Sequence, residues 1–302
     1  PQSVKATIAK KSVVPVITLD ETHFVYDGTA KEPVVTLKEA GGTTEIPAGE
    51  YTVEYSGNVN VGTATVTVTA KNDGNYSFNA VTESFTIGKK QAEVLTAPEA
   101  AGDPLTFNTR AQKLVTPGTG TGGTMVYSTD NVTFKAQIPT EPNAGTYKVY
   151  YKVEGDANHS DSAVGEVSVT IAPKTVKDPT IMLFDEDGDP LVSYTYDGNA
   201  KEPQVTVVDG STTIAASEYD IRYENNTDAG NTATVNIIDK PNGNYTVTGS
   251  ATFVIEKANI VFNPAPTAAN ITYDGKAHEL LVPGKTSGGE VWYALNSPTT
   301  TY

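Results

Sequence analysis

One short acidic segment has the residue types and spacing of a cation site. Asp185, Asp187 and Asp189 alternate along the chain, and calcium prefers several oxygen ligands of this kind. The segment departs from the EF-hand loop, because its glycine lies between the second and third aspartates and a proline follows. A solvated acidic hairpin tip explains the same residues and is the favoured interpretation. Calcium is the one cofactor that the sequence leaves open.

A second segment combines the residue types of a hydrolase triad. His159, Ser160 and Asp161 are consecutive, whereas residues of a catalytic triad are brought together from separate places in a fold. His159 also occupies a turn position that recurs along the chain. His23 and His278 have no second ligand at metal spacing, and no glycine-rich loop leads from a strand into a helix. We therefore predict no catalytic residues and no enzymatic activity.

Three aromatic side chains could stack on a sugar ring. Tyr150 and Tyr151 lie in a predicted strand, and Trp292 is the only tryptophan. Strand alternation leaves one of the two tyrosines partly exposed without any ligand, so a structural role is the favoured interpretation. Glycan contact through Tyr150, Tyr151 or Trp292 stays an alternative.

The chain is organised by a short marker that recurs about once per small domain. Its three full copies begin Tyr26-Asp27-Gly28, Tyr196-Asp197-Gly198 and Tyr273-Asp274-Gly275, and a weaker form begins at Phe107. Asp-Gly reaches the backbone angles of tight turns, and a buried tyrosine can tie a loop to the backbone. We interpret the marker as a structural motif with a hairpin turn at Asp-Gly.

The segments between the markers have the residue patterns of short β-strands. Ala64, Val66 and Val68 alternate with threonines from Thr63 to Thr69, which places the apolar side chains on one buried face. About seven such strands per repeat, separated by turn residues, predict an all-β fold of small Ig-like β-sandwich or β-grasp-like domains. Such domains in tandem would form an elongated rod.

The marker spacing also predicts the domain boundaries. Residues 1–11 match the closing strand of a preceding repeat, and residues 12–89 form a first complete repeat. Residues 90–173 form a second repeat of a different subtype, and residues 174–257 return to the first subtype. Residues 258–302 resemble the start of the second subtype, so we expect both ends to be cuts in a longer protein.

Composition excludes several classes of partner. The net charge is −15 with a pI of about 4.6, which opposes binding to nucleic acid or an anionic membrane. The 302 residues include no cysteine, so no disulfide stabilises the repeats. No apolar run approaches the roughly 20 residues of a membrane span. We expect the neighbouring repeats of the same chain to be the main partners.

Several phrases carry a family resemblance. Three phrases of the first subtype resemble the YDG repeats of large bacterial surface proteins. They are the Tyr-Asp-Gly opening with Lys or His four residues after the Asp, the Val-Gly or Ala-Gly before a Thr/Val strand, and the Gly-Asn-Tyr before a closing strand. The phrases Asn143-Ala144-Gly145 and Asp156-Ala157-Asn158-His159 are similar to the MBG-type repeats found beside them. The resemblance implies an extracellular, adhesin-like stalk on a bacterial cell surface and no catalytic residues.

Taken together, these observations predict a non-catalytic spacer that presents a distal adhesive or catalytic domain. Direct adhesion to a glycan or a host surface protein is the first alternative. An accessory region of a secreted hydrolase and a filament subunit are further alternatives. Attachment to the cell wall or outer membrane would lie outside this sequence.

Overall fold

The computed structural model describes residues 4–102 and 104–294. Contacts divide the chain into two units, Pro1–Pro173 and Lys174–Tyr302. In the described ranges, the helices are two three-residue 3-10 turns at Ala48–Glu50 and Ala216–Glu218, and all other regular elements are strands. The all-β prediction is confirmed. No helix in these ranges is long and apolar enough to cross a membrane.

The first repeat consists of two β layers. A mixed sheet has the order β3-β8-β6-β5, in which β3 and β8 are parallel and the other pairs antiparallel. The second layer is the antiparallel pair β2–β4. A short parallel pair, β1–β7, joins the start of the repeat to a late turn. The strands are β1 (Lys11–Ser12), β2 (Pro15–Leu19), β3 (His23–Val25), β4 (Val35–Glu39), β5 (Tyr51–Ser56), β6 (Gly62–Ala70), β7 (Tyr76–Ser77) and β8 (Val81–Gly88).

The core of this repeat lies between the two layers. Ala64, Val66 and Val68 on β6 are fully buried, as the alternation with threonine predicts. They pack with Leu37 of the opposite layer and with Phe85 of β8. Burying a large apolar side chain of this kind contributes about 1.5–3 kcal/mol, so the alternating pattern is the main source of stability in a repeat without disulfides.

The second repeat has the same plan in the same unit. Its mixed sheet has the order β11-β18-β16-β14, again with a parallel first pair, and its shorter pairs are β10–β13, β12–β15 and β9–β17. The strands are β9 (Lys90–Gln91), β10 (Glu93–Thr96), β11 (Leu105–Thr106), β12 (Gln112–Lys113), β13 (Thr119–Thr121), β14 (Gly123–Ser128), β15 (Thr140–Glu141), β16 (Gly145–Gly155), β17 (His159–Ser160) and β18 (Gly165–Ala172).

The second unit repeats the first plan. Its sheets have the orders β21-β27-β25-β24 and β20-β22-β23, and the pair β21–β27 is parallel. The described residues of 258–294 contain one pair of two-residue strands and one isolated bridge, between Phe262 and Thr286. The strands are β19 (Lys174–Thr175), β20 (Thr180–Phe184), β21 (Tyr194–Thr195), β22 (Gln204–Asp209), β23 (Thr212–Ile214), β24 (Tyr219–Glu224), β25 (Thr232–Asp239), β26 (Tyr245–Thr246), β27 (Gly249–Glu256), β28 (Thr267–Ala268) and β29 (Leu281–Val282).

Two local predictions differ from the structure. Residues 4–10, where the sequence predicts the closing strand of a preceding repeat, form no strand, and Ile8 is 96% exposed. The Asp27-Gly28 turn does not join two paired strands, because β3 before it pairs with β8 while β4 after it pairs with β2. The turn instead begins a connection between the two layers.

Candidate functional site

The marker forms a compact side-chain-capped turn. The Asp27 Oδ1 atom accepts hydrogen bonds from the Thr29 amide (2.9 Å) and hydroxyl (2.7 Å), while Lys31 pairs with the same carboxylate. Gly28 has a φ of 85°, which a side chain at this position would oppose. The pKa of Asp27 is held well below its usual range. The hydrogen bond from Lys31 is the largest cause of this lowering, and the hydrogen bonds from Thr29 add to it.

The same turn recurs in the other two full copies. Asp197 Oδ1 accepts from the Asn199 amide at 2.9 Å, and Lys201 pairs with this carboxylate at 2.7 Å. The pKa of Asp197 falls to about 2, chiefly through the Lys201 hydrogen bond. In the third copy, His278 Nε2 lies 2.5 Å from Asp274 Oδ1. A lysine or histidine four residues after the aspartate therefore bonds to its carboxylate in each turn.

The tyrosines that tie loops to the backbone are not the marker tyrosines. Tyr55 Oη donates to the Pro33 carbonyl at 2.7 Å, and Tyr223 Oη donates to the Pro203 carbonyl at 2.8 Å. Burial raises the pKa of both phenols. By contrast, Tyr196 is 40% exposed and Tyr273 is 93% exposed, so the buried marker tyrosine predicted from the sequence is wrong for these copies.

In the first unit, Tyr26 instead contacts the second repeat. Its ring meets the His159 ring edge to face, with centroids 5.3 Å apart and an interplanar angle of 84°. Beside this ring pair, Asn158 Oδ1 accepts a hydrogen bond from the Val61 amide at 3.0 Å, and Asn158 Nδ2 donates to Asn60 Oδ1 at 3.1 Å. We call these contacts, with the Lys89 contacts described next, the repeat junction.

The linker between the two repeats closes the junction. Lys89 Nζ donates to the backbone carbonyls of Asp156 and His159, each at 3.1 Å. The following residues form β9, which pairs in parallel with β17 through His159 opposite Lys90. The linker is therefore bonded along its length to the repeat that it introduces, as β1 and β19 are to theirs.

The turn that enters the junction is held in shape by its own residues. Asp156 Oδ1 accepts from the Asn158 amide at 2.8 Å and lies 2.7 Å from His159 Nδ1. The His159 hydrogen bond is the largest cause that lowers the pKa of Asp156. On its other side the His159 ring packs against Gly122, where a Cβ atom would lie 2.7 Å from the ring. A glycine with a φ of 81° is needed at this close approach.

The two repeat subtypes use the turn asparagine differently. In the first subtype, Asn75 Nδ2 donates to Glu50 at 2.8 Å, and Asn244 Nδ2 donates to Glu218 at 3.0 Å, both within one repeat. In the second subtype, Asn158 has no such glutamate bond and reaches the preceding repeat. The alternation of subtypes therefore determines where a cross-repeat bond forms in the first unit.

The second unit contains an open cleft at the corresponding surface of the third repeat. The cleft has a volume of about 610 Å³ and lies between that repeat and residues 258–289. Its walls carry both apolar and charged groups. The lining residues are Tyr196, Asp197, Asp228, Ala229, Lys257, Ala258, Asn259, Ile260, Ser287, Gly288 and Gly289.

The acidic segment folds as a turn rather than as a set of converging ligands. Asp185 Oδ1 accepts hydrogen bonds from the amides of Asp187 (3.1 Å) and Asp189 (2.9 Å). Within residues 4–102 and 104–294, no group of three or more His, Cys, Asp or Glu side chains is arranged to hold a metal ion. The Asp185 carboxylate therefore caps this turn, as a hairpin tip would have it, and a calcium site at these residues stays a prediction.

The predicted aromatic residues do not form one stacking surface. Tyr150 and Tyr151 are neighbours on β16 and therefore project from opposite faces of the strand. Tyr151 lies against Gly165 and lines a cleft of about 430 Å³ with Glu93 and Ser162. Trp292 is 86% exposed in the second unit. A glycan contact at any of these residues stays a prediction.

The consecutive His159, Ser160 and Asp161 are not arranged as a triad. The His159 ring bonds to Asp156, while the Asp161 carboxylate bonds to Lys152 and accepts from the Gly155 amide at 2.9 Å. These contacts give the histidine and the aspartate separate structural partners. The geometry of this segment therefore gives no support to a hydrolase site.

Comparison with known proteins identifies one family. Residues 191–259 match the model of the MBG domain, which confirms the resemblance to YDG/MBG-type repeats for that part of the chain. No curated protein matches the chain. A solved structure described as Dpr2 Ig1-Ig2 in complex with DIP-Theta Ig1-Ig3 covers 81% of this chain and 100% of its own, with 9% identity and a TM-score of 0.28. A likeness at this level supports no conclusion.

Sequence reasoning missed the residues that make the junction. Asn60, Val61 and Lys89 carry no motif of their own, and Asn158 stands out in the sequence only as part of the phrase Asp156-Ala157-Asn158-His159. The signal that could have identified them is the contrast between subtypes. A Glu-Tyr phrase precedes β5 and β24 in the first subtype and supplies the glutamate that holds the turn asparagine, whereas the second subtype lacks it.

Proposed function

We propose that the chain is a non-catalytic structural segment of a bacterial surface protein, in which bonded junctions hold successive repeats and space a distal domain from the cell. The observation that carries this proposal is the repeat junction. There, the recurrent Tyr26 and the turn residues Asn158 and His159 bond one repeat to the next rather than surrounding a ligand. An extracellular location follows from the same proposal.

The charge distribution supports a spacing role. A net charge of −15 keeps neighbouring copies apart by repulsion and favours a soluble, extended arrangement of repeats. Short linkers that pair with the following repeat leave few residues free to bend within the first unit. These features suit a spacer that must keep its length.

Small-angle scattering together with a glycan-array and mucin-binding screen tests the proposal. We expect an extended scattering profile that is insensitive to dilution and no reproducible binding in the screen. A compact profile, or saturable binding by the folded chain, would contradict the spacer role. The same sample serves both measurements, so folding is controlled within the experiment.

Adhesion is a second candidate, favoured by the cleft beside Tyr151. This cleft combines an aromatic ring with the polar groups of Gln91, Glu93 and Ser162, a combination that suits a sugar. If a glycan binds there, Tyr151→Ala should abolish the binding. The matched control is Tyr150→Ala, since Tyr150 projects from the opposite face of β16 and should leave binding unchanged.

A further inference from the structure

The open cleft in the second unit has the same parts as the surface that is covered in the repeat junction. Tyr196 stands at the position of Tyr26, and Asp228-Ala229 stand at the positions of Asn60-Val61. The alignment is fixed by equivalent bonds, because Asn58 and Asn226 donate to the carbonyls of Lys31 and Lys201 in the same way. The preceding repeat therefore contributes matching walls to both places.

The following residues supply the rest of the correspondence. Lys257 stands at the position of Lys89, and Ala258-Asn259 stand at the positions of the β9 residues that pair with β17. The pair Gly288-Gly289 stands at the position of Gly122-Gly123, against which the His159 ring packs. The positive φ lies at the second glycine of this pair, Gly289 (75°), and not at the first as in Gly122 (81°). By sequence position, each side of the His159 turn has a counterpart around the cleft.

We propose that this cleft is the docking site for an Asp-x-Asn-His turn of a second-subtype repeat, bound as residues 156–159 are bound in the first unit. The turn asparagine would accept from the Ala229 amide and donate to the Asp228 carboxylate. The histidine would lie between Tyr196 and Gly288, and Lys257 would donate to the turn carbonyls. This inference rests on the proposed structural function and specifies its partner.

The chemistry of the cleft suits this occupant. Asp228 replaces Asn60, and a carboxylate oxygen accepts a hydrogen bond from an asparagine Nδ2 at least as well as an amide oxygen does. Tyr196 presents a ring that is 40% exposed, which an imidazole would cover as His159 covers Tyr26. The spacing between Gly122 and Asn158, applied from Gly288, assigns the turn to a second-subtype repeat that begins near residue 258.

The test extends the chain with its own sequence. Residues 128–173 are appended after Tyr293, which completes the fourth repeat with a copy of the Asp-Ala-Asn-His turn. We expect hydrogen exchange at the Ala229 amide to slow at least about fivefold, as one added hydrogen bond would cause. Replacing the asparagine of the appended turn with alanine should restore the original exchange rate of the Ala229 amide. Asp228→Ala should restore that rate in part.

Several outcomes would overturn the proposal. If the appended strands exchange slowly, and are therefore folded, while the Ala229 amide is unchanged, the cleft does not bind the turn. If the extended chain does not fold, a cyclised peptide of residues 152–162 is added to the original chain at millimolar concentration. If the peptide then causes no change in the NMR chemical shifts of Ala229 and Lys257, the proposed docking site is overturned. Scattering and glycan screening of the original chain decide the spacer role separately.

Discussion

The repeat junction and the open cleft present nearly the same residues in two different situations. Around Tyr26 the surface is covered by a turn from the second repeat, with two asparagine hydrogen bonds and an edge-to-face ring pair. Around Tyr196 the corresponding surface is open and borders a cleft of about 610 Å³. The comparison teaches that the marker supplies a binding surface, while the facing turn determines whether that surface is buried.

The largest expected difference in stability between the repeat junction and the open cleft concerns their corresponding glycines, Gly122 and Gly288. In Gly122→Ala the new methyl group meets the His159 ring at a φ of 81°, so we expect the first unit to lose about 1–3 kcal/mol of unfolding free energy. At Gly288 no atom lies within 4 Å of a Cβ, and Gly288→Ala should change stability by less than about 0.5 kcal/mol. Urea denaturation with hydrogen exchange of each unit measures both. Equal losses would contradict the comparison.

Removal of the turn asparagine should have the next largest effect. Asn158→Ala leaves the Val61 amide and Asn60 without their partner, which should cost about 1–2 kcal/mol in junction stability. Hydrogen exchange at Val61 should accelerate accordingly. Asn75→Ala is the matched control, because Asn75 bonds to Glu50 within the first repeat and should leave Val61 exchange unchanged. An effect of both variants at Val61 would mean that the asparagines act by general destabilisation.

A smaller difference is expected for the marker tyrosines. Tyr26→Leu keeps much of the apolar area but loses the ring contact with His159, which corresponds to about 0.5–1.5 kcal/mol. Tyr196→Leu, at a side chain that is 40% exposed beside the open cleft, should change stability by less than about 0.5 kcal/mol. Thermal denaturation of the two variants provides the measurement. A larger loss for Tyr196→Leu would reverse the comparison.

The smallest expected effect is the loss of folding stability at low pH through Asp156. The pKa of Asp156 is lowered in the folded chain, so its contribution to stability is present above the unfolded value of 3.8 and is lost as the pH falls below it. Because this carboxylate is exposed, the loss should be modest. Between about pH 5 and pH 2.5, Asp156→Asn should show a weaker pH dependence of urea unfolding in the first unit than the unmodified chain. Identical pH profiles would exclude a role for this carboxylate in the junction.

The sequence predicts those structural features that depend on residues adjacent to one another along the chain. Alternation identified the buried face of β6, and Asp-Gly identified a turn that forms even around Asp274, where its tyrosine is 93% exposed. The junction could not be predicted this way, because Tyr26 and His159 are far apart in the sequence and meet only through the placement of two folded repeats. The burial of a marker tyrosine is determined by its neighbour, so the motif alone did not reveal it.

The parallel pairing of the first and last strands of each sheet has a mechanical consequence. In β3–β8, β11–β18 and β21–β27 the chain enters at one end of the pair and leaves at the other. Tension between the ends of a repeat therefore pulls the two strands in opposite directions along their length. Their hydrogen bonds are then sheared together instead of opening one at a time. The parallel pair in each repeat is thus arranged to resist a stretching force applied between the two ends of that repeat.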